Sequence, residues 1–179
     1  MDSTESPNSP LRGGITSEGW RKFAPRGVVL FLFYLLFAAL LVTRRVDCIR
    51  NPQFWAEEGS RFFTEALARP AWLNLATYSY GYFDLAIRIA HQIAVLVPIE
   101  MAPLVLVLIA IAIQAAVPAL IVSSRCANWM GPFPVRLVAA VLYCAMPNSF
   151  EVHCIQSHSR VHLAVLAALL IVSAPPRSR

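Results

Sequence analysis

Charged residues are scarce in this chain of 179 residues. Only 14% of the residues are Asp, Glu, Lys or Arg, against roughly a quarter in soluble domains. Disorder of the whole chain is excluded as well, because disordered segments have low hydrophobicity, whereas 58% of this chain is hydrophobic and its mean hydropathy is +0.59. The shortage of charge therefore predicts an integral membrane protein in place of a water-soluble globular domain.

Several common motifs are also missing. No basic stripe interleaved with aromatic residues occurs, so nucleic acid is not a predicted partner, and the net charge of +5 comes largely from arginines that flank apolar runs, as topology determinants do. The four cysteines show no CxxC or regular spacing, which predicts neither a zinc site nor a disulfide framework. Only Cys144 and Cys154 are expected near the same membrane face, and no bond between them is predicted.

Four apolar runs predict an all-α, polytopic membrane protein with about four transmembrane helices. The predicted spans lie at about 27–43, 101–124, 135–148 and 160–174. The first run is interpreted as an uncleaved signal anchor, and a cleaved signal peptide is the alternative. The polar residues 1–26 are predicted to form a disordered cytoplasmic tail, and residues 175–179 a second cytoplasmic tail.

A further apolar segment, Phe83 to Pro98, is predicted to lie in the membrane interface without crossing. On a helix its polar and apolar residues form opposite stripes, namely Asp84, Arg88, His91 and Gln92 against Leu85, Ile89, Ile93 and Leu96. Burying a carboxylate and a guanidinium at the bilayer centre costs at least about 2.5 kcal/mol each. The extracytoplasmic loop 44–100 is therefore predicted to carry interfacial helices at about 55–68 and 83–97, and both polar loops face one compartment.

The first loop supplies acidic residues beside a tryptophan. Glu57 and Glu58 follow Trp55, and Glu65 lies seven to eight residues further on, which is two turns and the same face of an α-helix. The alternative interpretation of the adjacent glutamates is a solvated helix start, favoured by the helix macrodipole.

A second polar patch, PNSFEVHCIQSHSRVH, holds Glu151, His153, His158 and His162 within twelve positions. His158 and His162 are four residues apart, so on a helix they share one face and could bind a metal or an anionic headgroup. The spacing could equally be incidental, since no HExxH motif occurs. Arg160 could hold a phosphate.

Together these motifs resemble the GT-C superfamily of membrane glycosyltransferases. The residues that carry the resemblance are FWAEEGSRFFTEAL, a Tyr-Gly-Tyr before an amphipathic helix, and PNSFEVH with a later His at the outer end of a helix. It is closest to a bacterial branch in which the first loop reads W-A-E-D-G. Such a resemblance implies a bacterial inner-membrane enzyme with its N-terminus in the cytoplasm, which transfers a sugar from a polyprenyl-phosphate donor held in the membrane lipid.

The resemblance also implies roles for individual residues. Glu57 or Glu58 becomes the catalytic carboxylate, and Glu151 and His153 become candidate ligands of a divalent metal, Mg or Mn. A further implied set binds the substrate phosphate, namely Arg160, His158 and His162. Glu58 stands where related sequences have Asp, and the family has many more spans, so the chain is expected to be a fragment or short form, or to need a second chain that supplies the missing spans.

Two other classes of function fit the composition. One is a non-catalytic small integral membrane protein, or a partner subunit of a larger membrane complex. The other is a transporter fragment in which Asp84, Arg88 and His91 line a path.

Overall fold

All regular secondary structure in residues 26–78, 84–147 and 153–173, the parts of the chain that the computed structural model describes, is helical. This confirms the all-α prediction for those residues. The predicted tails before Arg26 and after residue 174, the Tyr-Gly-Tyr motif and Glu151 lie outside the described residues. The α-helices are α1 (Arg26–Arg44), α2 (Val46–Arg50), α3 (Thr64–Ala68), α4 (Ala71–Leu75), α5 (Leu85–Ala94), α6 (Ala102–Val122), α7 (Ala127–Met130), α8 (Phe133–Cys144) and α9 (Ser159–Val172).

Within the described ranges, two helices are long and apolar enough to cross a bilayer. Helix α1 has 19 residues and α6 has 21, which gives lengths of about 29 and 32 Å at 1.5 Å per residue, close to the roughly 30 Å of a hydrocarbon core. Their mean hydropathies are 2.2 and 2.8. The structure thus suggests a membrane protein on the strength of these two helices.

The other two predicted spans correspond to shorter helices. Helix α8 has 12 residues and α9 has 14, or about 18 and 21 Å, so the predicted four spans are not confirmed. Prolines soon after each helix limit how far it can extend, because proline disfavours helical backbone at the residue before it. Pro147 follows the end of α8, and Pro175 and Pro176 follow the end of α9 in the sequence.

Helices α1 and α8 run antiparallel to the central helix α6, whereas α9 runs parallel to it, because Ser173 at the end of α9 bonds Arg125 just after the end of α6. Residues of the first half of α1, such as Leu30 and Tyr34, line a surface cleft with Ala119 of the second half of α6. Arg136 at the start of α8 donates a 2.7 Å hydrogen bond to the carbonyl of Val122 at the end of α6. Their shared core is formed by Phe37, Leu41, Ala115, Val117, Ala119, Ile121, Val122, Ala140 and Cys144.

Helix α5 buries charged and polar residues and exposes apolar ones, which is the reverse of an amphipathic helix on a water-soluble protein. Its charged Arg88 and its His91 are 1% and 0% exposed, whereas Leu85, Ile89 and Ile93 are 43%, 44% and 45% exposed. With ten residues, it is about 15 Å long and too short to cross a bilayer. Its small residues pack on the beginning of α6, where Ala90 and Ala94 meet Ala102.

After α2, the first loop forms a π-helix, Glu58–Phe63, that continues into α3. The Thr64 hydroxyl donates a 2.9 Å hydrogen bond to the Gly59 carbonyl five residues earlier, as a widened turn allows. A π-helix has a different residue period from an α-helix, so the seven-residue spacing of Glu58 and Glu65 does not keep them on a common α-helical face. The two carboxylates bind different partners: Glu58 binds Ser157, and Glu65 binds Arg88.

Candidate functional site

The two predicted polar patches meet at the end of the bundle where α6 begins. The Glu58 carboxylate joins them, because Oε1 accepts a 2.8 Å hydrogen bond from the Ser157 backbone N–H. An ion pair of 3.1 Å links Arg160 to Asp84. Arg125 and Arg136 lie at the opposite end of α6, where Arg136 binds the Val122 carbonyl and Arg125 donates to the Ser173 hydroxyl at 3.3 Å.

Adjacent glutamates in the first loop have opposite surroundings. Glu58 is 3% exposed, and its Oε2 accepts a second hydrogen bond, 3.2 Å long, from the Trp55 N–H. Burial raises the pKa of Glu58, while the N–H groups of Ser157 and Trp55 oppose that rise by stabilising the carboxylate. Glu57 is exposed and has no hydrogen bond or ion pair with any described residue. Glu58 therefore connects two segments, and Glu57 is the carboxylate that solvent can reach.

The backbone is strained on both sides of this junction. In the described residues, Ala56 (φ 42°) and Cys154 (φ 62°) are the non-glycine residues with positive φ, a conformation that costs an L-residue about 1–2 kcal/mol. Ala56 immediately precedes the two glutamates, and Cys154 lies three residues before Ser157. Strained backbone and π-helical turns both concentrate at functional sites, and here they occur in contacting segments.

Gly59 owes its place in this motif to close packing. A Cβ atom at this position would lie 3.0 Å from the side chain of Phe54, nearer than carbon atoms normally approach. Phe54 in turn packs on Phe63, with ring centroids 4.9 Å apart. Because Gly59 has no side chain, the π-helical turn can pack closely against Phe54, which precedes it in the sequence.

Arg88 is the centre of a buried polar network inside the first loop. Its guanidinium forms a 3.1 Å ion pair with Glu65 and a 2.6 Å hydrogen bond to Asn74, and it lies 5.7 Å from the centre of the Phe62 ring. His91 bonds the Ile87 carbonyl at 2.8 Å through Nδ1, and burial lowers its pKa to about 4. Two members of the polar stripe of α5, Arg88 and His91, are thus bound within the protein. Asn74 carried no signal in the sequence that distinguished it from an ordinary loop residue.

His153 is fully buried, and neither of its ring nitrogens has a hydrogen-bond partner among the described residues. Burial, aided by the nearby positive charges of Arg44 and Arg45, lowers its pKa to about 4, so the ring is neutral at physiological pH. Buried polar atoms are satisfied in most native structures. Two unpaired nitrogens in one ring are therefore typical of a position completed by a water or a ligand.

The three predicted phosphate-binding residues lie together at the start of α9. Arg160 has a half-exposed side chain, 45% accessible, although Asp84 holds it. His158 is the residue before α9, and no described residue bonds its Nδ1. His162 is buried one turn further on, where its Nδ1 bonds the Tyr143 hydroxyl. The two histidines are thus not joined as a pair.

The proposed metal ligands do not form a described metal site. No group of three or more His, Cys, Asp or Glu side chains converges anywhere in residues 26–78, 84–147 and 153–173. His153 is present as a buried neutral ring, and Glu151 lies outside the described residues. His153 alone is a neutral imidazole and does not supply the several carboxylate or carbonyl oxygens that Mg²⁺ or Mn²⁺ favours, so the metal-binding role of Glu151 and His153 stays a prediction.

Residues 153–155 fold back along the middle of α6. The Cys154 N–H donates a 3.1 Å hydrogen bond to the side-chain oxygen of Gln114, the only strongly polar residue in the second predicted span. Cys154 packs with Cys48, Val107 and Ile111, and not with Cys144, which lies in the apolar core of the bundle. A lone glutamine in an apolar run is the sequence signal for this contact.

No protein-family model, curated protein or solved structure matches this chain. The resemblance to GT-C glycosyltransferases therefore stays a prediction based on the motifs quoted above. The chemistry open to the chain depends on the junction of Glu57, Glu58, Ser157 and Arg160.

Proposed function

We propose that this chain is a polytopic protein of a bacterial inner membrane, and that it takes part in transferring a sugar from a polyprenyl-phosphate donor to an extracytoplasmic acceptor. In this proposal α1, α6, α8 and α9 all cross the bilayer, and the N-terminus is cytoplasmic. The end of the bundle that holds Glu58 and Arg160 faces outward. A second chain completes the enzyme by supplying further spans.

The apolar outer surface of α5 supports placement in a membrane. Leu85, Ile89 and Ile93 are each more than two-fifths exposed, and in water this exposure would cost about 25 cal/mol per Å² of apolar surface. The buried Arg88 would gain no hydration from that water. In an interface, the same helix presents apolar residues to lipid and keeps Arg88 paired with Glu65. Helices α8 and α9 are short, and turns at their ends complete the crossing.

The observation that carries the proposed activity is the hydrogen bond between Glu58 and Ser157. It brings an acidic loop and a segment bearing Arg160 together across 99 positions of sequence. A donor lipid keeps its tail among apolar helices and its phosphate at the headgroup plane. A transferase of this kind therefore needs a carboxylate and a cation at one end of the bundle, which is the arrangement found here.

We assign the acceptor proton to Glu57, because this carboxylate is exposed whereas Glu58 is enclosed. The acceptor hydroxyl oxygen bonds to the anomeric carbon as the bond from that carbon to the phosphate oxygen breaks. The hydroxyl proton passes to Glu57, and the phosphate leaves with the bonding electron pair beside Arg160. General base catalysis and charge stabilisation of this type each lower a barrier substantially, and no step passes through a metal.

Lipid binding gives the first test. The purified full chain is mixed with a long-chain polyprenyl phosphate or with the matching polyprenol, and complexes are counted by native mass spectrometry. The phosphate lipid should bind more tightly, and Arg160→Gln should weaken it about tenfold or more, since a charge-assisted hydrogen bond contributes about 1.5–3 kcal/mol. Arg50→Gln, an exposed arginine in the first loop, is the matched control. Equal binding of both lipids would overturn the assignment.

Transfer is tested in proteoliposomes that contain the full chain together with any partner chain encoded beside it. Glu57→Gln should lower kcat by about a hundredfold while leaving polyprenyl-phosphate binding intact. Glu100→Gln removes an exposed carboxylate just before α6 and should leave kcat unchanged. An unaltered rate in Glu57→Gln would refute the assigned role. A chain with neither lipid binding nor transfer would instead favour a non-catalytic partner subunit.

A further inference from the structure

Two cysteines from distant parts of the chain meet beside the candidate site. Cys48 lies in α2 and Cys154 in the segment after α8, and both thiols are buried in one cluster with Val107 and Ile111 of α6. The two thiols are close enough for each to shift the pKa of the other. The other cysteines are placed apart from this pair: Cys144 is in the bundle core, and Cys126 donates to the Leu120 carbonyl at the far end of α6.

Independent contacts hold the two segments in register. Arg45, three residues before Cys48, reaches the carbonyl of His153 at 3.5 Å. On the other side, Gln114 accepts the N–H of Cys154 itself. The meeting of the two thiols is therefore fixed by backbone contacts on both sides and does not depend on the side chains of the cysteines alone.

We propose that Cys48 and Cys154 form a disulfide that joins the first extracytoplasmic loop to the second polar segment. The proposal rests on the outward orientation given under the proposed function, because extracytoplasmic compartments are oxidising and the cytoplasm keeps thiols reduced. Cys154 is three residues from Ser157, so the disulfide would fix the segment that carries the Glu58 partner, Ser157, to the first loop.

The chemistry is thiol–disulfide exchange with a donor protein disulfide. The Cys48 thiolate attacks one sulfur of the donor and releases the other as a thiolate; the Cys154 thiolate then attacks Cys48 in the mixed disulfide and displaces the donor. The two cysteines lose two protons and two electrons, and the donor disulfide becomes a dithiol. Exchange precedes burial, while the loop is still open to the donor.

Counting free thiols tests the proposal in the full chain. Membranes from expressing cells are quenched with acid, denatured, and treated with a maleimide polymer that shifts gel mobility once per thiol. Wild type should take two labels before reduction and four after it, since four cysteines are present. Cys48→Ser and Cys154→Ser should each take three labels in both conditions. The matched controls Cys126→Ser and Cys144→Ser should each take one label before reduction and three after it.

Four labels on unreduced wild type would overturn the proposed disulfide. Diamide added to native membranes then shows whether the pairing of the two cysteines or the assignment of the compartment is wrong. If diamide removes two labels and needs both Cys48 and Cys154, the thiols meet but the compartment is reducing, so the orientation in the proposed function is wrong. If diamide removes none, the pairing itself is wrong. Neither count depends on transferase activity.

Discussion

Replacing Glu58 with glutamine is expected to destabilise the protein, whereas the same change at Glu57 is expected to have little effect. The two Glu58 oxygens each accept a backbone N–H, from Ser157 at 2.8 Å and from Trp55 at 3.2 Å. A glutamine has one acceptor oxygen and one NH₂ group. Whichever way the amide is turned, it leaves one buried N–H facing another donor.

The magnitude follows from the geometry. Loss of a hydrogen bond to a charged group costs about 1.5–3 kcal/mol, and glutamine recovers part of this because it avoids burying a charge, the effect that raises the pKa of Glu58. A net loss of about 2 kcal/mol corresponds to a Tm lower by roughly 4–8 °C for a chain of this size. Glu57 is exposed without a described partner, so Glu57→Gln should stay within about 0.5 kcal/mol of wild type.

The assay is thermal unfolding of wild type and both variants in lipid nanodiscs, at one protein concentration and a pH near 7. A lowered Tm in Glu58→Gln alone supports the junction between the two polar segments. Equal Tm values in all three proteins, or a lowered Tm in Glu57→Gln alone, would refute the reasoning, because the hydrogen bonds to Glu58 would then contribute nothing to stability.

Three further substitutions follow from contacts described above. Gly59→Ala should cost about 1–3 kcal/mol by crowding Phe54, while Gly27→Ala, with open space around it, should not lower the Tm; equal effects would contradict the packing. Arg88→Met removes one partner of a buried ion pair and should cost about 3–5 kcal/mol, and a change below about 1 kcal/mol would contradict its burial. His91 has a pKa lowered to about 4 from 6.5, so the unfolded chain binds more protons between these values and stability falls as pH drops from 6.5 towards 4, by at most about 1.4 kcal/mol per pH unit. His91→Phe should flatten that part of a Tm-against-pH curve, and an unchanged slope would contradict the assignment.

The helical pattern of α5 was predictable from the sequence, because its four polar residues follow helical spacing. The direction that each face takes depends on tertiary contacts: the apolar stripe lies on the outer surface, and Arg88 binds Glu65 and Asn74 inside. The sequence identified the stripe without identifying those partners, since Asn74 lies in a separate short helix whose position depends on tertiary packing.

The difference between Glu57 and Glu58 could not be predicted. The two acids are neighbours with the same chemistry, and a π-helical turn rather than an α-helical one decides which of them turns inward. Likewise, the predicted topology put Cys144 and Cys154 near the same membrane face without predicting a partner for either, and in the structure the segment folds back to Gln114 and Cys154 meets Cys48. Local sequence carries periodicity well, but it carries little information about a contact across 99 or 106 positions.

In the proposed topology, the central position of α6 sets an order for assembly in the membrane. Helix α1 buries only Phe37 and Leu41 and offers apolar side chains elsewhere along its length, so a translocon can release it into lipid without waiting for the later helices. Helices α8 and α9 are too short to be retained on hydropathy alone, and the surfaces they pack on belong largely to α6. In that topology the insertion of α6 commits the chain to its fold, because it gives two marginal segments a helix to pack on.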